Sequence, residues 1–215
     1  MLELGLKVLI SYLLGSLNGA LIVGKLSGGI DIRRLGSGNA GGTNALRTQG
    51  AWFAARVMLI DVGKGFVPPW FLPALALPGI PLDPDVSRTW LALACGGAAI
   101  VGHCYPVWFN FTGGKGAATA VGALMGLAPG LLLPGALVWG LVLMTTGFVG
   151  LATMLAAAAL PVWLAVAGSP GQGPLLAFLG ALTLFIIYTH RANIRRMLDG
   201  TENRLEKAMV LRRRS

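Results

Sequence analysis

The fold is decided by the segment Ala117–Tyr188, which reads AATAVGALMGLAPGLLLPGALVWGLVLMTTGFVGLATMLAAAALPVWLAVAGSPGQGPLLAFLGALTLFIIY. Its 72 residues include no Asp, Glu, Lys or Arg. Because a helix needs about 20 apolar residues to cross a bilayer, this segment is long enough for several crossings. Breaks at Pro129-Gly130, Thr145-Thr146-Gly147 and Ser169-Pro170-Gly171 divide it. We therefore expect four membrane-spanning helices here, of which the first two are short.

The rest of the chain has the same apolar character. Hydrophobic residues make up 55% of the 215 residues, charged residues 12%, and the mean hydropathy is +0.72. A soluble domain carries about 25% charged residues, so this composition does not suit a surface that faces water. Further spans are expected at Leu4–Val23, Thr89–Phe109 and Ala51–Leu77, the last kinked or broken at Pro68-Pro69. The sequence predicts an all-α polytopic integral membrane protein, one domain over residues 1–215, with seven spans or, alternatively, five.

The basic residues predict how the chain is oriented. The net charge of +9 lies in Lys25–Arg56 and Arg191–Ser215. Since basic loops favour the cytoplasmic side, the N-terminus is expected outside and the C-terminus inside. Three loops, 25–50, 110–116 and 189–215, should then share the cytoplasmic face. Their charge favours membrane lipids and anionic substrates as partners. Nucleic acid is not expected, because neither basic segment interleaves aromatic residues with its arginines.

The first polar cluster, residues 36–47, reads GSGNAGGTNALR. Glycines allow successive backbone N–H groups to turn toward one point, which makes an anion-binding nest. The spacing matches G-x-G-x-x-G, but the strand that a dinucleotide-binding motif requires before it is missing. A flexible polar linker is the alternative interpretation. The candidate phosphate-binding residues are Gly36, Ser37, Gly38, Asn39, Thr43, Asn44 and Arg47, the last through a bidentate guanidinium.

The second cluster, residues 102–119, reads GHCYPVWFNFTGGKGAAT. It is not a Walker A loop, because Gly116 stands where that motif needs Ser or Thr. A glycine loop that enters a helix nevertheless directs N–H groups and the positive end of the helix dipole at an anion. A lysine that merely anchors the membrane edge is the alternative. The candidates are Gly113, Gly114, Lys115 and Gly116, whereas His103 suits packing at a helix end at least as well as catalysis.

The third cluster, residues 190–203, reads HRANIRRMLDGTEN. On a helix, His190 and Asn193 are three residues apart and share a face. Arg191 lies on a neighbouring face. A basic anchor for lipid headgroups would explain the arginines but not this His-Asn pair. Glu202 is interpreted as structural, because it neutralises part of the local arginine charge.

Several kinds of site are excluded by what these clusters lack. No Ser-His-Asp triad and no pair of catalytic carboxylates is evident, and two histidines and two cysteines give no metal-ligand spacing. The H-x-x-x-x-D motif of membrane acyltransferases that use thioesters is also missing, since Trp108 follows His103 and Arg195 follows His190 at that spacing. Phosphate-binding groups without a strong base suit a reaction whose donor is already activated. We expect neither a metal nor a cofactor.

In order and composition, the three clusters resemble the motifs of the bacterial acyl-phosphate:glycerol-3-phosphate acyltransferases, the PlsY-type family. The resemblance covers essentially the whole chain. It implies transfer of a fatty acyl group from acyl phosphate to the sn-1 hydroxyl of glycerol 3-phosphate, giving lysophosphatidic acid and phosphate in the first membrane step of phospholipid biosynthesis. It also implies a bacterial inner-membrane location and an active site facing the cytoplasm. A soluble enzyme that makes the acyl phosphate is a further candidate partner.

The resemblance also implies roles for individual residues. The catalytic set would be Ser37, Arg47, Lys115, His190 and Asn193. Because no side chain is an obvious general base, we expect a substrate phosphate to accept the proton. The substrate-binding set would be Gly36, Gly38, Asn39, Thr43, Asn44, Gly113, Gly114, Gly116, Thr153 and Arg191. Thr153 stands where serine is common in the family, Ala40 where proline is, and Gly147 where arginine is. The alternative function is a transporter of a phosphorylated small molecule, but polar groups at the bilayer midplane would then be expected.

Overall fold

The structure, a computed structural model, describes residues 1–168 and 171–210, and over these ranges the chain forms ten α-helices and no β-strand. The helices are α1 (Leu2–Gly15), α2 (Gly19–Leu26), α3 (Gly42–Gln49), α4 (Ala51–Phe71), α5 (Arg88–Cys104), α6 (Ala117–Leu127), α7 (Leu132–Thr146), α8 (Val149–Ala167), α9 (Gly173–Thr189) and α10 (Arg191–Leu198). The all-α prediction is confirmed. The uncharged segment forms four helices, α6 to α9, as expected. Two residues at the third expected break, Ser169 and Pro170, lie outside the described residues.

Three of the described helical stretches are long and apolar enough to cross a membrane: Arg88–Phe109, Pro129–Thr146 and Val149–Ala167. Two bent pairs raise that number to five if each pair is one span, namely α1 with α2, bent by 47°, and α9 with α10, bent by 54°. Helix α4 has 21 residues but contains Arg56, Asp61 and Lys64. Helix α6 is short, with 11 residues. The total of seven spans and the orientation of the chain stay predictions.

The first span is broken where the sequence predicts a continuous helix. Helix α1 ends at Gly15 and α2 begins at Gly19. Asn18 caps the new helix, because its side-chain oxygen accepts a hydrogen bond from the backbone N–H of Leu21 at 3.2 Å. A broken helix exposes backbone groups that lipid cannot satisfy, so their partners must come from the protein.

The contacts between Cα atoms divide the chain into two compact units, Met1–Pro129 and the part from Gly130 onward. In the first unit, α4 packs against α5 and α6, and α1 packs against α5. Glycines allow these close crossings, since a Cβ at Gly65 would overlap the carbonyl of Thr119. Helix α4 continues through Pro68 and Pro69 and ends at Phe71, so the prolines fall in its last turn rather than breaking it earlier.

The second unit is built around α8. Helix α7 packs on one side of α8, and α9 and the short α10 pack against it as well. The peptide after α10 returns to the turn between α7 and α8, where Leu205 N–H bonds to the carbonyl of Gly147 at 2.8 Å. Gly147 has a positive φ of 75°, and a side chain there would meet Met209. The return of the tail therefore favours glycine at this position. The single-domain interpretation stays a prediction.

Candidate functional site

The first loop, Gly36–Arg47, is held together by the buried side chain of Asn44. Its amide nitrogen donates to the carbonyl groups of Ile32, Leu35 and Asn39 at 3.2, 2.9 and 3.1 Å, and its oxygen accepts from the backbone N–H of Ser37 at 3.0 Å. The sequence predicts Asn44 as a substrate-binding amide. In the structure, that amide bonds to the backbone of the loop and of the segment before it, which fixes the path of the backbone around Ser37, and the substrate-binding role stays a prediction.

Helix α3 presents a polar face at the end of this loop. Thr43 and Arg47 are four residues apart and both are exposed, while Asn44 and Ala45 between them are buried. Gly36 and Gly38 on either side of Ser37 have positive φ values of 55° and 72°. These angles direct the N–H groups of Ser37 and Gly38 to Asn44 Oδ1 and to the carbonyl of Leu35, each at 3.0 Å, so both N–H groups bond within the protein. The first loop therefore has a rigid inner side and an exposed side that contains Thr43 and Arg47.

The second loop, Asn110–Gly116, is fastened to the end of α5 by two backbone hydrogen bonds. Gly113 N–H donates to Cys104 and Gly114 N–H donates to His103, each at 3.1 Å. A Cβ at Gly114 would overlap the Nε2 atom of His103, so the loop approaches α5 more closely than any larger residue allows. Gly116 has φ +87° and caps the N-terminus of α6. Lys115 lies between Gly114 and Gly116, whose positions restrict the backbone here, and is half-buried.

Arg33, in the segment just before the first loop, bonds to the second loop and to the residue before it. Its guanidinium donates to the carbonyl groups of Phe109 and Thr112 at 3.1 and 3.2 Å, and to Asp31 at 3.0 and 2.9 Å. The same pairing holds the pKa of the Asp31 carboxyl below its usual range. Arg33 is not among the residues that the sequence predicts for the site. An Asp and an Arg two residues apart, just before a glycine-rich loop, could have indicated such an ion pair.

A buried ionic cluster lies beneath the second loop. Asp61 and Lys64 of α4 approach each other at 3.0 Å, and His103 Nδ1 lies 3.3 Å from the same carboxylate oxygen. The backbone N–H of Gly19 donates to that oxygen at 2.9 Å, and Lys64 donates to the carbonyl of Leu17 at 3.0 Å. The cluster thus supplies partners for the break between α1 and α2.

In the second unit, His190 stands at the bend between α9 and α10. Its Nδ1 atom lies 2.8 Å from the carbonyl oxygen of Ile186, a contact that favours the proton on Nδ1 and leaves Nε2 as an acceptor. Asn193 donates to Glu202 at 2.8 Å, and Glu202 also pairs with Arg196 at 2.6 Å. These contacts agree with a structural role for Glu202, because it fixes the side chain of Asn193.

Two further candidates in this unit have structural contacts of their own. The Thr153 hydroxyl donates to Val149 at 2.9 Å and accepts from the indole of Trp139 at 3.2 Å. Arg191 is exposed, donates to the carbonyl of Tyr188 at 3.0 Å and lies 4.5 Å above that ring. The Thr153 contacts lie within α8 and between α7 and α8, the Arg191 contact lies at the end of α9, and the substrate-binding roles predicted for both side chains stay predictions.

The structure therefore groups the candidates into two sets. In the first unit, the first and second loops meet where Gly114 approaches the carbonyl of Ala40; in the second, Asn193 bonds to Glu202 close to the bend at His190. Within the described residues, no group of three or more His, Cys, Asp or Glu side chains could hold a metal ion.

Comparison with known proteins gives consistent matches over nearly the whole chain. A family model described as "Glycerol-3-phosphate acyltransferase" matches residues 5–200. Proteins of that name from Gloeobacter violaceus and Bordetella petrii are 41% and 40% identical, and the matches cover 91% and 92% of this chain and 91% of each relative. A crystal structure of PlsY, described as an integral membrane glycerol 3-phosphate acyltransferase in the glycerol 3-phosphate form, is 36% identical with a TM-score of 0.79, covering 94% of this chain and 95% of that one. Its lysophosphatidic acid form is 34% identical with a TM-score of 0.78, covering 94% of both chains.

Proposed function

The chain belongs to the glycerol-3-phosphate acyltransferase family, and on that premise we propose that it transfers a fatty acyl group from acyl phosphate to the sn-1 hydroxyl of glycerol 3-phosphate. The products are lysophosphatidic acid and inorganic phosphate. The likeness to PlsY supports this proposal most strongly, because the two PlsY structures are described as the glycerol 3-phosphate and lysophosphatidic acid forms. We propose that the reaction takes place at the cytoplasmic face of a bacterial inner membrane.

The proposed reaction needs positioning more than covalent catalysis. The hydroxyl oxygen of glycerol 3-phosphate attacks the acyl carbonyl carbon, a new ester bond forms, and the bond from that carbon to the phosphate oxygen breaks. The proton of the hydroxyl goes to a substrate phosphate. Acyl phosphate is a mixed anhydride with a good leaving group, so the protein has to align the two substrates and stabilise negative charge.

Residues of the first unit supply the charge stabilisation in this proposal. The first loop binds the phosphate of the donor through the hydroxyl of Ser37 and the neighbouring polar side chains. Arg47 and Lys115 bind glycerol 3-phosphate. The position of Lys115 between Gly114 and the N-terminal cap of α6 supports this, because N–H groups at a helix start and a fixed ammonium both favour a phosphate.

Residues of the second unit orient the acceptor. His190 offers Nε2 as an acceptor if Nδ1 donates to the carbonyl of Ile186, which suits a hydrogen bond from a substrate hydroxyl. Asn193, whose carboxamide donates to Glu202, contributes to the orientation of the acceptor in the same proposal. Thr153 and Arg191 contribute to substrate binding in the same proposal.

The proposal is tested by following acyl transfer to labelled glycerol 3-phosphate with the purified full-length protein in lipid. Acyl phosphate, acyl-CoA and acyl-carrier protein are offered separately. We expect lysophosphatidic acid from acyl phosphate alone, and a loss of about a hundredfold or more in kcat/KM for Lys115→Ala, because the variant leaves the acceptor phosphate without its ammonium.

The matched control is Lys25→Ala, which removes an exposed lysine from the end of α2. It should retain the activity of the parent protein. Product formed from a thioester would preserve the acyltransferase assignment and contradict the donor. No product with any donor, together with uptake of a phosphorylated solute into vesicles, would favour the transporter instead.

A further inference from the structure

The cluster of Asp61, Lys64 and His103 is buried to an extent that charged groups rarely tolerate. The three side chains belong to residues that are 0%, 8% and 2% exposed. Burying charges is expensive, and a buried ion pair is often no more stabilising than an apolar replacement. Moreover, Asp61 Oδ2 and His103 Nδ1 have no well-formed hydrogen bond among the described residues. Stability alone is therefore a poor reason for this cluster to exist.

The cluster is connected to the second loop through His103. The side chain of His103 faces Asp61 on one edge, through Nδ1, and Gly114 on the other, through Nε2. The carbonyl of the same residue accepts the N–H of Gly114. Rotation of the ring would thus move the backbone directly before Lys115.

The same contacts reach the first loop. A Cβ at Gly114 would come within 2.7 Å of the carbonyl oxygen of Ala40, so the two loops touch at this point. That carbonyl is held from the other side by Asn18, whose amide donates to it at 3.3 Å. Asn18 and Gly19 lie in the break of the first span, where Gly19 N–H bonds to Asp61. The Asp61 carboxylate therefore contacts His103, which lies against the second loop, and Gly19, which follows the Asn18 that bonds to the first loop.

We propose that Asp61 is a positioning residue for glycerol 3-phosphate binding. Its carboxylate, 3.3 Å from His103 Nδ1, attracts that edge of the ring by charge and favours the proton on Nδ1, the ring lies against Gly114, and the loop then holds Lys115 at the phosphate of the acceptor. This inference rests on the role proposed above for Lys115. Asp61 itself touches no substrate.

A second buried ionic cluster in the same unit provides a matched control. Glu3 and Lys7 of α1 pair at 2.6 Å, and Arg88 at the start of α5 donates to Glu3 at 3.0 Å. Glu3 and Lys7 are as deeply buried as Asp61. This cluster lies at the opposite end of α5 from His103, so its loss should affect stability without reaching the second loop.

The experiment compares Asp61→Asn with Glu3→Gln in the purified full-length protein. The equilibrium binding of glycerol 3-phosphate is measured by calorimetry without an acyl donor, and KM, kcat and Tm are measured in parallel. For Asp61→Asn we expect Kd and KM for glycerol 3-phosphate to rise about tenfold or more while kcat falls less, since a loop displaced by a fraction of an ångström misplaces its ammonium. For Glu3→Gln we expect a lower Tm with Kd within twofold of the parent protein.

A second variant tests the route through His103. His103→Gln should weaken binding as Asp61→Asn does, and the double variant should be no weaker than His103→Gln alone, because residues that act in series are not additive. If Asp61→Asn does not fold, His103→Gln alone tests the inference through the same Kd.

The outcomes separate this inference from the function on which it rests. A lower Tm with unchanged Kd in Asp61→Asn or His103→Gln, while Lys115→Ala loses binding, overturns the positioning role and leaves the proposed function intact. Unchanged binding of glycerol 3-phosphate in Lys115→Ala overturns both the positioning role of Asp61 and the role proposed for Lys115. Additive losses in the double variant overturn the route through His103.

Discussion

At the scale of single residues, Asn44 is predicted from the sequence to bind a substrate, and its side chain also holds the backbone of the first loop in place. Its four hydrogen bonds link Ile32, Leu35, Asn39 and Ser37. Each buried polar group left without a partner costs about 1–3 kcal/mol, so Asn44→Ala should lower Tm and kcat/KM together. Thermal unfolding in detergent, with Gln49→Ala at the end of the same helix as control, measures the first effect. An unchanged Tm with a higher KM would show instead that the amide acts on a substrate.

His190 provides the second prediction at this scale. If a substrate phosphate accepts the proton, His190 orients the hydroxyl but is not the base. His190→Ala should then lower kcat by about 10- to 1000-fold and still form lysophosphatidic acid, because one hydrogen bond to the reacting group is lost. Initial rates of parent and variant between about pH 5 and 8 provide the measurement, a range centred near the ordinary His pKa of about 6.5. Complete loss of product at every pH would identify His190 as the base and contradict the substrate-assisted route.

At the scale of elements, Arg33 attaches the second loop to the segment that precedes the first loop. Arg33→Gln removes the bonds to the carbonyl groups of Phe109 and Thr112 and should raise KM for glycerol 3-phosphate several-fold, about 1 kcal/mol of binding free energy. The neighbouring Arg34 is exposed, and Arg34→Gln is the matched control. Because pairing lowers the pKa of Asp31, the stabilisation is complete at neutral pH and is lost as the pH falls through that lowered pKa. Equal effects of the two variants would indicate a change in surface charge rather than a broken junction.

The helices show which part of the fold follows from sequence alone. Prolines and glycines mark the breaks on either side of α7, because these residues disfavour a continuing helix whatever surrounds them. The break at Asn18 is different, since its neighbours form one apolar run. It depends on Asp61 and Lys64, which lie more than 40 residues away and become partners only when α4 packs beside α2. A local pattern therefore predicts where a helix can end, whereas tertiary partners decide where this one does.

At the scale of the whole molecule, the motifs predict which loops lie together better than they predict what each residue contacts. The glycine and hydroxyl clusters predict both loops as elements of one region, because their composition suits backbone binding of an anion, and in the structure Gly114 of the second loop approaches the carbonyl of Ala40 in the first. The support for that region, Arg33 and the His103 cluster, was not assigned to it. Charged residues in an apolar helix have the same sequence signature whether they stabilise a fold or position a loop, and only their contacts distinguish the two.

The orientation of the chain in the membrane is the last prediction, and it follows from the distribution of charge. The basic tail should be cytoplasmic and the loop before α5 should be outside, since Lys and Arg favour the cytoplasmic side. Asp85 and Asn203 are exposed in these two segments, and the native Cys95 and Cys104 are buried, so an introduced cysteine should react over a low background. In intact cells, a membrane-impermeant maleimide should label Asp85→Cys, and it should label Asn203→Cys only after permeabilisation. The reverse pattern would place the tail outside, where neither a cytoplasmic acyl phosphate nor glycerol 3-phosphate could reach His190.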